Sequence, residues 1–446
     1  MPADPLHRMR PNTLAMKSRL LLACILVVSL LNACGGGSNS KAGFVRLVNA
    51  ASDYSTLDLY ASSTNVSSGI ASYAVGSYAE LNANTTTFNL KSGGSSATAA
   101  TLSGEVSKQK HSTIVAYTTG GTLTTTYLSD EEGAPSSGTA KLRVFHTDAS
   151  DAGNVDVYLI DSACSGLNTV SAAATASAVS GLQAVYTEIA AAAGGTSYHV
   201  CVTAAGDKSD LRLDIPAATF TNQQVTTLIL TRTPGGVLLH GLLLDQQGAL
   251  TKGLNNSARV RFAVSTSNIG TIATTVNGVS LGLPGVSGAI GPYTPVPAGA
   301  LSVKINAAAA TVSAPALAGA DYTLLVTGPV NAPVATLIAD DNTVSTSTVR
   351  PVKLRLLNGL NGAAVAATLA KDSNLVGTAL FATASASAQV EASAALASLV
   401  VTAEGSNALQ VNNSTTLTLT SGKVYTVFLF GPAAAAPGIP ALRQDR

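Results

Sequence analysis

Apolar positions along this chain fall in short runs rather than at helical spacing. One run returns four times with an arginine in second place: VRLVNA from Val45, LRVFHT from Leu142, VRFAVS from Val260 and LRLLNG from Leu354. The steps between these openings, 97, 118 and 94 residues, are each the size of a domain. A unit of that length can bury its own core, which excludes a short-period solenoid. A second apolar run follows each opening: LDLY from Leu57, VDVY from Val155, IATTVNGVSL from Ile272 and VAATLA from Val365. Then come a small-residue turn with an alternating strand, as in AGGTSYHVCVTAAG, and a β-branched run ending in Gly, as in STIVAYTTG or DYTLLVTG. No long stretch keeps the 3.6-residue period of a core helix. Short strands at intervals of about 8–12 residues, separated by turn residues, predict an all-β chain of tandem antiparallel sandwiches with roughly seven strands each.

The hand-over points place four β-sandwich units at residues 44–139, 140–257, 258–351 and 352–446. The segments SDEEGAPSSGTA, DQQGALTKGLNNS and DDNTVSTSTVRP read as short connectors, so the expected shape is a semi-rigid string of domains.

The N-terminus carries an address. Residues 16–34 read MKSRLLLACILVVSLLNAC, with Lys17 and Arg19 ahead of a largely apolar stretch at residues 20–31. That stretch is shorter than the roughly 20 apolar residues a membrane helix needs and fits a secretory signal peptide over residues 1–33, with Met16 its expected start. Leu31, Asn32, Ala33 and Cys34 resemble a lipobox, the site at which a bacterial lipoprotein receives its lipid on the Cys sulfur. The GGGSNSKAG that follows fits a flexible tether over residues 34–43. By the same resemblance, Gly35 after the lipidated Cys implies an outer-membrane destination, on either its periplasmic or its cell-surface face.

Composition narrows the function classes. Charged residues make up only 11 % of the 446, there is no Trp, and the net charge is +1. Without a basic patch or an aromatic platform, nucleic acid is not expected as a partner. Loss of the signal peptide removes Cys24, and lipid occupies Cys34. Cys164 and Cys201 then remain as an expected disulfide in an oxidising compartment, closing a loop worth roughly 3–4 kcal/mol.

Few residues are candidates for chemistry. Gly278, Ser280 and Gly282 match the G-x-S-x-G nucleophile elbow, but Asn277-Gly278 between two short strands is a hairpin signal, and no helix pattern follows. Asp58 and Asp156 occupy equivalent positions, where units three and four carry Ala273 and Ala366, so structural hydrogen bonding is the expected role. Arg46, Arg143, Arg261 and Arg355 recur in every opening. Two readings fit them: a bidentate pair with a junction carboxylate such as Asp130, Asp245 or Asp340, or a solvated charge that blunts a sheet edge. The acidic clusters Asp130, Glu131, Glu132 and Asp340, Asp341 lack the spacing of a calcium loop. Asp148, Asp151 and Asp156 come closer to one but read as solvated turn carboxylates, and the histidines lack zinc spacing, so no metal or cofactor is assigned.

VRLVNAASDYSTLDLY and its partner LRVFHTDASDAGNVDVY resemble the opening of the bacterial exported β-domain known as Domain of Unknown Function 4397, which often occurs in tandem on lipoproteins. The resemblance implies an immunoglobulin-like or related sandwich and a cell-envelope role, and supplies no active site. The expected function is that of a non-enzymatic, lipid-anchored envelope protein whose repeated modules serve adhesion, scaffolding or binding of an envelope protein or glycan. The alternative is a calcium-dependent or carbohydrate-binding surface module.

Overall fold

The computed structural model describes residues 41–345, 349, 351–361, 366–393, 398–404, 407–411, 418–431 and 438–446. The signal peptide, Cys34, most of the tether and Val365 lie outside the described residues. No helix among the described residues is long and apolar enough to cross a membrane.

Among the described residues, strands pair into eight sheets, two for each repeat, giving four two-layer sandwiches. In each unit an inner sheet contains the opening strand: Ala42–Asn49, Thr139–His146, Ser257–Thr266 or Val352–Asn358. An outer sheet contains the second apolar run: Thr56–Ala61, Val155–Ile160, Thr274–Val276 or Ala367–Lys371. The only helical features described are one turn at Ala149–Ala152 and a 3-10 turn at Cys164–Thr169.

The antiparallel expectation needs one correction. Each opening strand pairs in parallel with the late β-branched strand of its unit: His111–Thr119, Val225–Arg232, Asp321–Gly328 or Val424–Phe430. Both partners are sheet interior, and parallel pairs occur where both sheet faces are covered. That condition is met here. On the opening strand of unit one, Val45 and Leu47 enter the unit's own core while Val48 enters a second apolar cluster.

That second cluster overturns the string of domains. Val48, Ala50, Val115 and Leu128 of unit one pack against Phe145, Ile229, Leu242 and Leu244 of unit two. Ala263 and Leu325 of unit three pack likewise against Leu357, Phe428 and Phe430 of unit four. Inner sheets therefore stack back to back, and the chain is two welded pairs rather than four beads. A sheet face so covered no longer meets water, which is why the opening runs are apolar at nearly every position instead of alternating. The pairs also touch each other: Thr233 Oγ1 and the Gly235 amide of unit two both donate to the Gly319 carbonyl of unit three, each at 2.9 Å. Gly319 has φ +76°, and a Cβ there would come within 2.4 Å of Thr233, so the approach requires glycine. Part of the second connector is also structured: Leu250–Gly253 adds a strand to the inner sheet of unit two.

Candidate functional site

The recurring arginines share the interface face of the opening strand with Val48, Phe145, Ala263 and Leu357, two residues further on. Each lies opposite a threonine of the parallel strand: Arg46 with Thr113, Arg143 with Thr227, Arg261 with Thr323 and Arg355 with Thr426. In all four units the arginine Nε donates to that threonine Oγ1, at 2.8, 3.0, 2.9 and 3.0 Å. In three units the guanidinium also lies over a tyrosine that precedes the edge strand, Tyr78, Tyr186 or Tyr293, at 4.5–4.6 Å from the ring centroid. Unit four has Ser387 at the equivalent position, immediately before the strand Ala388–Val390.

A carboxylate completes the latch in three units. The threonines donate to Asp130 at 2.5 Å, to Asp340 at 2.6 Å and to Asp445 at 2.5 Å. The register explains the exception. Thr113, Thr323 and Thr426 oppose Leu128, Ile338 and Arg443, and the acid lies two residues beyond each. Thr227 opposes Leu244, so the matching residue in unit two is Gln246, not Asp245.

The latches cross between units. Arg261 of unit three pairs with Asp445 of unit four, and Arg355 of unit four pairs with Asp340 of unit three. Arg261 Nη2 also lies 3.5 Å from Asp340, closing a buried four-charge network. In the first pair, Arg46 donates to the Gly248 and Asp245 carbonyls of unit two at 2.6 and 3.0 Å and sits 3.9 Å from Asp130. The Gln246 amide exchanges hydrogen bonds with the Glu132 backbone at 2.8 and 2.9 Å. Of the two readings of these arginines, pairing therefore describes Arg46, Arg261 and Arg355. Arg143 makes no ion pair among the described residues, and Asp245 instead accepts from Gln224 and Thr226.

The other expected residues fall into structural settings. Asp58 accepts from the Gly69 amide at 2.7 Å, and Asp156 accepts from the amides of Ala178 and Gly206 at 2.7 and 2.8 Å. Both hold a register shift in the neighbouring strand. Cys164 and Cys201 form a disulfide that ties the 3-10 turn to the outer sheet of unit two. Cys164, His199 and Asp214 cluster closely, but the disulfide removes the thiolate a metal would require. Asn277 and Gly278 form the expected hairpin turn with φ of +51° and +82°, and Ser280 Oγ donates to the Gly282 carbonyl. Burial pushes the His146 and His240 imidazoles down to about 4 and keeps them neutral.

A charged junction forms where units two, three and four meet. It contains a cleft of about 380 Å³ lined by Asp151, Arg212, Arg259, Lys423, Asp445 and Arg446. Beside it, Asp148 is 1 % exposed, and neither of its carboxylate oxygens has a hydrogen bond among the described residues. Burial first, and the Asp151 charge second, push its carboxyl up to about 8. The unfolded chain releases this proton near pH 4 and the folded chain only near pH 8, so stability falls as pH climbs through that window. Asp148→Asn is expected to flatten that slope, raising the melting temperature at pH 8–9 and leaving it nearly unchanged at pH 4. Melting curves across that range check it, and an unaltered slope in the variant would refute it.

Comparison with known proteins adds a family. Residues 43–158 match the model described as Domain of unknown function (DUF4397), a span that takes in unit one and the first two strands of unit two. No curated protein matches the chain. Among solved structures, a "putative cell adhesion protein" from Bacteroides uniformis is 12 % identical, with 46 % of this chain and 99 % of that one covered and a TM-score of 0.18. The Bacillus anthracis TIE protein is 8 % identical, with 95 % and 79 % covered and a TM-score of 0.13. Over residues 43–158, about a quarter of its length, the chain is similar to the DUF4397 family.

Proposed function

We propose that this chain is a non-enzymatic, lipid-anchored protein of the cell envelope that uses its paired sandwiches as a stiff support for adhesion, scaffolding or ligand binding. The observation that carries this reading is the latch system. The four modules are fused two by two through buried arginines and apolar sheet faces, as a stiff spacer requires and independent modules on flexible connectors do not. The N-terminal signal and Cys34 supply the anchor, with the outer membrane as the proposed destination. A disulfide accords with an oxidising compartment.

Fractionation of cells making the wild-type and Cys34→Ser chains tests the anchor. The wild type is expected in the membrane fraction and the variant in the soluble fraction. Equal membrane retention of both would contradict the anchor. Protease treatment of intact cells then separates the two faces: digestion favours adhesion at the surface, and protection favours a periplasmic scaffold.

A further inference from the structure

We infer that the cleft between units two, three and four binds a small organic anion through a carboxylate or phosphate group. Each carboxylate lining the cleft is already held by an arginine. Arg212 pairs with Asp210 at 2.6 Å, Arg446 with Asp151 at 3.0 Å, and Asp445 with Arg261. Arg259 is satisfied from outside the cleft lining, by a bidentate pair to Asp321 at 2.8 and 2.5 Å.

The unmet capacity consists of donors. Lys423 lines the cleft and has no ion pair or side-chain hydrogen bond among the described residues. Among the described residues, Arg212 Nε is buried without an acceptor and the Arg446 guanidinium donates through Nη1 alone. Burial lowers the Arg446 guanidinium and the charges of Arg212 and Arg259 add to that shift, while Asp151 and Asp148 oppose it, so an anion entering the cleft would relieve the crowding of these cations. An oxyanion, carboxylate or phosphate, is the group that several converging N–H donors recognise, and charge-assisted bonds to it are the strong ones. The volume, about 380 Å³, suits a ligand the size of a single sugar acid or sugar phosphate.

The inference gives the ligand-binding branch of the proposed function a ligand class. Its test is separate from that of the anchor, since it uses the purified chain in solution. Inorganic phosphate and glucuronate are the probes, each titrated against chloride at matched ionic strength and followed by melting temperature and calorimetry. At 10 mM, at least one of them is expected to raise the melting temperature by about 2 °C or more over chloride. Phosphate alone would point to a phosphorylated ligand, and glucuronate alone to a uronate-type carboxylate. Lys423→Gln is expected to weaken binding by roughly tenfold and Lys423→Glu to abolish it. Lys252→Gln, at an exposed site in unit two, should leave it unchanged. No preference for either probe over chloride, or full binding by both Lys423 variants, would overturn the inference.

Discussion

Asp340→Asn is expected to destabilise the second pair of units by about 3–5 kcal/mol, the range found when one member of a buried ion pair is removed. Asp340 has no exposed side-chain surface and accepts from Thr323 and from the Tyr293 hydroxyl, each at 2.6 Å, and from Arg355, with Arg261 beside it. The neutral amide leaves two buried guanidiniums with Asp445 as their remaining carboxylate in the network. Burial alone would raise the Asp340 carboxyl, but the Arg355 and Arg261 charges outweigh it and hold the group below its usual value. A depressed acid contributes stability above its unfolded value, near pH 4, and loses it as pH falls through the folded value. The penalty of the variant should therefore be full at pH 7 and shrink in strong acid. Denaturant titrations at both ends of that range check the sign, and a penalty that grows on acidification would refute the assignment.

Removing the disulfide by Cys164→Ala with Cys201→Ala is expected to cost roughly 4 kcal/mol, since the crosslink spans 37 residues. The loop it closes includes the 3-10 turn, the strands Ala176–Val179 and Thr187–Ala190, and the start of the strand that carries Cys201. Unit two shares its inner face with unit one, so the loss should lower the melting of both units together. Calorimetry of the oxidised and alanine forms measures this; a first-pair transition that does not move would show that the loop is held by packing alone.

Much of this architecture was legible in the sequence. The second apolar runs became the central strands of the outer sheets, and the NG hairpin formed where the N–G dipeptide placed it. The arginine recurrence pointed to a shared task, and Asp130 and Asp340 were among its expected partners. The Asp245 carboxylate was not a partner, because the register of unit two places Gln246 in the latch; Asp245 serves Arg46 through its carbonyl instead. Asp445 was not among the expected partners, although ALRQDR matches a hand-over point, because the carboxylates sought were those of the connectors between units. The threonine facing each arginine was visible as a recurring Thr in STIVA, TTLIL, YTLLV and YTVFL, and the stacked tyrosine as SYAEL, VYTEI and PYTPV. Each is a single position inside a degenerate run, and only strand register joins it to an arginine 32 to 84 residues away.

The pairing of units was the larger miss, although the signal was present. A strand with one face in water alternates, and VRLVNA and LRLLNG do not. The lone polar residue in each central stretch is the arginine, and it lies on the interface face, where a neighbouring unit supplies acceptors to Arg46, Arg261 and Arg355. The parallel pairing was invisible for a different reason: parallel and antiparallel strands share a two-residue period, and only the order of chain crossings distinguishes them.

Scanning calorimetry of the full mature chain tests the central claim, that buried arginine latches weld the units into two cooperative pairs. No more than two unfolding transitions are expected, and Asp340→Asn should shift only the one belonging to units three and four. Four separable transitions, one for each unit, would contradict it.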